Sequence, residues 1–174
     1  GLGNAVLFSI ARAMRDRGNK VIYFAGYKKG EDLFKREEIE AATDQVIWST
    51  DTGIPIEPGR PQDAHFRGNI VQAMLAYQRG ELGETLVPIE DVDRIIAIGS
   101  DRMMAAVMVL AAGQALPLAV LAQTGPVPMK GGPDRPIADK AASDAQVRTQ
   151  AHKIRCQAVE NLMPIGEAHV LLVD

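Results

Sequence analysis

The sequence predicts an α/β fold built on one mostly parallel sheet, and three observations lead to this prediction. Short apolar runs alternate with amphipathic stretches through the first two-thirds of the chain, the pattern of strands joined by helical crossovers. Runs such as K-V-I-Y-F-A are apolar along most of their length, as buried strands are. The 174 residues are enough for one sizeable core, so residues 1–174 are assigned to a single domain.

The predicted elements follow in order along the chain. Apolar residues at helical spacing predict a first helix over residues 4–16, which Gly18 closes. The predicted strands cover residues 20–25, 45–49, 92–98 and 118–122. The predicted helices cover residues 31–42, 69–79 and 102–115, and Leu33, Phe34 and Ile39 of the first of these are expected to face inward. The density of Pro and Gly predicts a loop over residues 51–68.

The last third of the sequence is less regular. Residues 123–137 are predicted to form an irregular linker, and residues 138–163 an additional helix. The chain then closes with an apolar run from Val170 to Val173, which has the pattern of a buried strand.

The two ends of the chain complement each other. The opening G-L-G-N, followed by an apolar helix, looks like a phosphate-binding turn, and such a turn normally follows a buried strand. Joining Asp174 to Gly1 gives strand, glycine turn and helix without interruption. We therefore predict a doubly wound, Rossmann-like sheet in a permuted chain, with residues 170–173 as its central strand. Two alternatives remain: residues 170–173 are an edge strand and the central strand was cut away, or a neighbouring copy supplies it in a swapped homo-oligomer.

Candidate ligand-binding residues follow the first two strands of this arrangement. Gly1, Gly3 and Asn4 would let the backbone and the helix N-terminus approach a pyrophosphate. Gly26 and Lys28 follow the next strand, where an acidic residue would bind a ribose 2′-hydroxyl. A lysine there suits a 2′-phosphate instead, although it can equally be a solvated loop charge.

Further candidates follow the third and fourth strands. Thr50 and Asp51 lie in S-T-D-T-G, where polar side chains can face the ribose or close a turn through their own backbone. Gly99, Ser100 and Met103 lie in I-G-S-D-R-M-M, where a glycine admits a nicotinamide ring and a serine caps a helix. The methionine can equally be an ordinary packing residue.

Composition limits the other function classes. The net charge of −3, the pI near 5.6 and an aromatic content of 5% argue against nucleic-acid binding. A single cysteine allows no intrachain disulfide and no cysteine-based cluster. No membrane span, signal peptide or Walker-type phosphate loop is recognisable, so we expect a cytoplasmic protein that is not a nucleotide hydrolase.

These segments together resemble the NAD(P)-binding half of ferredoxin–NADP reductase-like flavoproteins. The nearest branch contains the dihydroorotate dehydrogenase electron-transfer subunit and glutamate-synthase-like pyridine nucleotide-disulfide oxidoreductases. Four family motifs have counterparts here: the G-G-x-G-x-A-P turn, G-A-R…D-L…F-R-E-E, T-D-D-G and C/I-G-P-x-x-M-M correspond to residues 1–6, 26–38, 50–53 and 98–104. The likeness covers residues 1–107.

The sequence also departs from that family. Val6 and Ser100 replace the usual prolines, and Ile98 replaces a frequent cysteine. Neither the flavin-binding barrel nor the four cysteines of a [2Fe–2S] cluster are recognisable.

The resemblance implies an NAD(P)H-binding domain of a flavin-dependent oxidoreductase. FAD or FMN would come from a separate domain or subunit, and no iron–sulfur cluster or metal is expected in this chain. No catalytic acid or base is expected, since hydride passes between two cofactors, and the isolated chain is expected to lack a complete active site. The alternative is a non-catalytic assembly or regulatory domain that keeps the reductase-like fold.

Overall fold

The protein has a mixed α/β architecture. A computed structural model describes residues 2–113, 118–123 and 169–173, which form four α-helices and six strands. The helices are α1 (Leu2–Arg15), α2 (Arg36–Ala42), α3 (Ile70–Gln78) and α4 (Asp101–Gly113). The strands are β1 (Lys20–Lys29), β2 (Gln45–Thr52), β3 (Ala64–Arg67), β4 (Arg94–Gly99), β5 (Leu118–Gln123) and β6 (His169–Val173). The predicted helix over 138–163, and the predicted linker beyond Gln123, lie outside the described residues.

The six strands form one sheet in the order β3-β2-β1-β6-β4-β5, and all neighbouring strands run parallel. β6 lies between β1 and β4: Leu171 is paired with Ile22 on one side and with Ile95 on the other. The last described strand therefore takes the inner position predicted for residues 170–173. Gly1 and Asp174, whose junction was also predicted, lie outside the described residues.

The side chains of β1 alternate between two core layers. Val21 and Tyr23 pack with α1 and α2 on one face of the sheet, and Ile22 and Phe24 pack with α3 and α4 on the other. All four residues are at most 1% exposed. Each buried side chain of this size contributes roughly 1.5–3 kcal/mol. Burial on both faces explains why the sequence of β1 is apolar without alternation.

The first two helices begin two or more residues away from their predicted starts. α1 begins at Leu2, so Gly3 and Asn4 belong to its first turn and not to a glycine turn before it. The predicted helix over 31–42 is too long, because only Arg36–Ala42 is α-helical. Lys35 interrupts it with a left-handed backbone (φ 55°), and Phe34, predicted to face inward, is 56% exposed.

The predicted loop over 51–68 contains a strand that the sequence pattern did not indicate. β3 is only four residues long and pairs with β2 alone. Asp63 anchors its start: the buried carboxylate accepts a hydrogen bond from the Val46 amide (2.8 Å) and forms an ion pair with Arg60 (2.8 Å). A strand this short, in a segment that has six Pro and Gly residues between residues 51 and 68, has too few residues to show a period of two.

A buried glutamine fixes α3 against the sheet. Gln45 is fully buried, and its Nε2 donates to the carbonyl oxygens of Gln62 (2.6 Å) and Glu84 (2.7 Å). Its Oε1 accepts from the Tyr77 hydroxyl (2.8 Å) and the Leu86 amide (3.2 Å). All four hydrogen-bonding positions of the side-chain amide are therefore used, so its burial leaves no polar atom without a partner.

We expect Leu171→Pro to unfold the domain, because proline removes an amide donor from a strand that is bonded on both sides. The loss in the free energy of unfolding should be about 3 kcal/mol or more. Urea denaturation followed by circular dichroism measures it. Leu171→Val keeps the amide and serves as the control, with an expected loss below about 1.5 kcal/mol. Equal stability of the two variants would contradict the inner position of β6.

Candidate functional site

A cavity of about 350 Å³ opens at the carboxyl edge of the sheet. Its walls come from the ends of β1, β2 and β4, from the turn after β3, and from the first turns of α3 and α4. The residues that line it are Gly26, Tyr27, Lys28, Ser49, Asp51, Gly68, Asn69, Ile70, Gly99, Ser100 and Met103. Ligands of open parallel sheets bind at this edge, so it is the candidate functional site.

The position of the cavity follows from the strand register. The described part of β6 ends with Val173, which is paired with Phe24 of β1 and Ala97 of β4. Both neighbouring strands continue beyond that pairing, to Gly26 and Gly99, which line the cavity. The cavity therefore lies past the described end of an inner strand, between the two strands that flank it.

Six of the ten predicted site residues line this one cavity. They come from three separate segments of the chain and are Gly26, Lys28, Asp51, Gly99, Ser100 and Met103. Their common position follows from topology, because the carboxyl ends of parallel strands meet at one edge of the sheet.

The other four predicted residues are placed differently. Thr50 is fully buried, and its Oγ1 lies 2.9 Å from His65 Nε2, within hydrogen-bonding distance. Gly3 and Asn4 lie in the first turn of α1. Since α1 leads through four residues into the amino end of β1, its N-terminus points toward the carboxyl edge of the sheet. Gly1 lies outside the described residues.

The wall formed by α3 was not predicted from the sequence. Asn69 caps α3: its Oδ1 accepts from the Gln72 amide (3.0 Å), and the Gln72 side chain accepts from the Asn69 amide (3.1 Å). Gly68 precedes this cap with φ +144°. The N-x-x-Q spacing of a capping box was present in the sequence, but without β3 it could not be placed at the sheet edge.

The opposite wall is the junction of β4 and α4. Ser100 caps α4 through its Oγ, which accepts a hydrogen bond from the Met103 amide (3.4 Å). A side chain at Gly99 would overlap the terminal methyl group of Met103. Met103 would therefore have to adopt another conformation if residue 99 carried a Cβ.

Several features favour an anionic or polar ligand. The N-termini of α3 and α4 both contribute to the wall, and each carries the positive end of a helix dipole. Lys28 adds a positive charge and Asp51 a negative one, and both side chains are exposed. Ser49 lies opposite Gly26 in the register and is 1% exposed, so it adds a polar residue to the floor.

No protein-family model matches the sequence, and no solved structure matches it significantly. No helix in the described part of the chain is both long enough and apolar enough to cross a bilayer. Within the same residues, no group of three or more His, Cys, Asp or Glu side chains could hold a metal ion. The cavity and the motifs around it are therefore the features of this chain that bear on its function.

Gly68→Ala should destabilise the domain. An added Cβ would lie 2.7 Å from both Gln72 Oε1 and the Phe66 ring, at a backbone angle that side chains rarely adopt. We expect a loss of about 1–3 kcal/mol in the free energy of unfolding, measured by urea denaturation. Gly113→Ala is the control, because its Cβ would meet nothing within 4 Å. A loss no larger than that of the control would contradict the close packing at Gly68.

Replacement of His65 should change how stability depends on pH. Burial lowers the pKa of His65, and the charge of Arg67 lowers it further. At a pH between the pKa of His65 in the folded protein and its pKa in the unfolded chain, the unfolded chain therefore binds more protons than the folded protein. The free energy of unfolding consequently decreases as the pH falls below about 6.5. In His65→Gln this contribution is absent.

Urea denaturation of both proteins at about pH 7.5 and about pH 5.5 tests this expectation. The wild-type protein should lose more stability between these pH values than His65→Gln. The other titrating groups are common to both proteins, so the difference isolates His65. Equal losses would show that the ring is protonated as easily in the folded protein as in the unfolded chain.

Proposed function

We propose that this chain is the NAD(P)H-binding domain of a flavin-dependent oxidoreductase. It would orient the nicotinamide for hydride transfer to an FAD or FMN held by a separate domain or subunit. The observation that carries the proposal is the cavity at the carboxyl edge, where residues predicted for a pyridine nucleotide from three segments come together.

The strand order supports a doubly wound, Rossmann-like arrangement within this proposal. If β6 is counted as the first strand, the strands that follow in the chain lie progressively farther from it. They are β1, β2 and β3 on one side, and then β4 and β5 on the other. Such a reversal of strand order creates a crevice at the carboxyl edge, and dinucleotides bind in crevices of this kind. Gly26 and Gly99 flank that reversal and line the cavity.

The residues at the site are suited to a pyridine dinucleotide. Gly26 and Gly99 line the two sides of the crevice, and Lys28 supplies a cation at its rim. A volume of about 350 Å³ lies at the lower end of the range for small-molecule sites. Part of the dinucleotide would therefore extend along the open edge toward the N-terminus of α1.

The segments at the carboxyl edge have separate binding roles in this proposal. The first turn of α1, with Gly3 and Asn4, would hold the pyrophosphate, and Lys28 would pair with a ribose phosphate. Asp51 would face a ribose. Thr50 would act only indirectly, because its hydroxyl is hydrogen-bonded to His65.

The β4–α4 junction would hold the nicotinamide. The terminal methyl group of Met103 lies beside the Gly99 backbone, so Met103 would offer the ring an apolar surface, and Ser100 fixes the first turn of α4. When bound, the nicotinamide supplies the hydride. The protein contributes orientation and partial exclusion of water, and no residue needs to transfer a proton.

Calorimetric titration of the full chain with NADPH and NADH tests the proposal, with the fluorescence of Trp48 as a second readout. Saturable binding of at least one nucleotide is expected. Gly99→Ala should weaken that binding at least about fivefold, which corresponds to about 1 kcal/mol, because the added Cβ would displace the terminal methyl group of Met103, which lines the cavity. Gly113→Ala, at the end of α4 and with an open Cβ position, should bind as the wild type does.

Failure of both nucleotides to bind up to about millimolar concentration, the upper end of ordinary substrate affinities, would reject the proposal. That outcome would favour the alternative, a non-catalytic assembly or regulatory domain that keeps the fold. Equal affinity of Gly99→Ala and Gly113→Ala would show that the nucleotide binds elsewhere.

A further inference from the structure

Thr50 connects β2 to β3 through two hydrogen bonds. Its hydroxyl oxygen lies 2.9 Å from Nε2 of His65, and its carbonyl oxygen accepts from the Gly68 amide at 3.0 Å. Thr50 itself is fully buried and does not line the cavity. The residue is therefore bonded both to the middle of β3 and to the turn that leaves it.

The hydroxyl bond runs diagonally across the strand pair. In the register, His65 is paired with Trp48, and Thr50 is paired with Arg67. The imidazole of His65 therefore extends toward the carboxyl end of β3 to meet Thr50. A side-chain bond here adds a restraint to an edge strand of four residues, for which backbone pairing alone gives little stability.

The segment held by these bonds is one wall of the cavity. Gly68 follows β3 directly, and Asn69 and Ile70 begin α3, and all three residues line the cavity. A Cβ at Gly68 would meet Phe66 and Gln72, and Gln72 forms the cap of α3 with Asn69, so the turn lies directly beside that cap. These lining residues come three to five positions after His65, so a displacement of His65 would be transmitted to the cavity through them.

We propose that Thr50 and His65 are positioning residues for the ligand site: their hydrogen bond holds the Gly68 turn and the first turn of α3 in the binding geometry. Neither residue contacts the ligand in this scheme. The identity of that ligand, a pyridine nucleotide, depends on the proposed function, whereas the restraint on the turn does not.

Matched substitutions separate this role from simple packing. Thr50→Val keeps the shape of the side chain and removes its hydroxyl, whereas Thr50→Ser keeps the hydroxyl. His65→Leu removes the ring nitrogen. The double variant tests whether the two side chains act through one bond, because effects of a shared interaction do not add.

The experiment measures the dissociation constant of NADPH or NADH, whichever the wild-type chain binds more tightly, by calorimetry. Thr50→Val and His65→Leu should each weaken binding about 3- to 10-fold, the range expected for one lost hydrogen bond. The dissociation constant of Thr50→Ser should stay within about twofold of the wild-type value. The double variant should bind the nucleotide no more weakly than whichever single variant binds it less tightly. Amide hydrogen exchange at Gly68 should become faster in Thr50→Val and His65→Leu but not in Thr50→Ser.

Two results would overturn the inference. One is an unchanged rate of amide exchange at Gly68 in Thr50→Val and His65→Leu. The other is a double variant whose loss of affinity equals the product of the fold-changes of the two single variants. If the wild-type chain binds neither nucleotide, the proposed function fails, and hydrogen exchange still decides whether the bond holds the turn. A fall in melting temperature with unchanged affinity and exchange would assign the pair to stability alone.

Discussion

The described fold depends on one strand that is bonded on both of its edges. β1 and β4 each pair with β6, and no other described strand joins the β3-β2-β1 group to the β4-β5 group. This arrangement also creates the candidate site, since Gly26 and Gly99 extend past the register of β6 on either side. The same backbone pairing therefore supports both the core and the cavity.

Much of the fold could be predicted from apolar patterns. The strands buried on two faces and the helices α1, α3 and α4 have strong, long patterns, and residues 170–173 were assigned correctly to the inside of the sheet. The failures have local causes. Lys35 takes a left-handed backbone and ends a helical pattern that would otherwise reach back to residue 31, and β3 is too short to show strand periodicity.

The candidate site could be predicted in part. Six residues predicted to follow strands lie at or near the carboxyl ends of those strands, because topology fixes where parallel strands end, and their role in ligand binding stays a prediction. Gly68, Asn69 and Ile70 were missed because their position depends on β3. Thr50 was expected to face a ligand, but a partner 15 residues away, His65, holds its hydroxyl inside the protein. A contact of this kind depends on tertiary structure and has no signature in the local sequence.

The charges around the cavity suggest how a ligand is oriented. Helix N-termini contribute on two sides, whereas Lys28 and Asp51 place opposite charges on neighbouring strands. An anionic group is therefore favoured near the helix ends and Lys28, and a hydroxyl-bearing group near Asp51. This separation gives a polar ligand one preferred direction along the edge of the sheet.

The short edge strand has a consequence for the energetics of recognition. Because β3 is bonded to one neighbour only, it belongs to the part of the sheet that opens most readily. An opening of β3 that displaced the Gly68 turn would remove a wall of the cavity, so only the closed fraction of molecules would be competent to bind. The apparent affinity is the intrinsic affinity reduced by that fraction, and any partner that covers β3 would tighten binding without contacting the ligand.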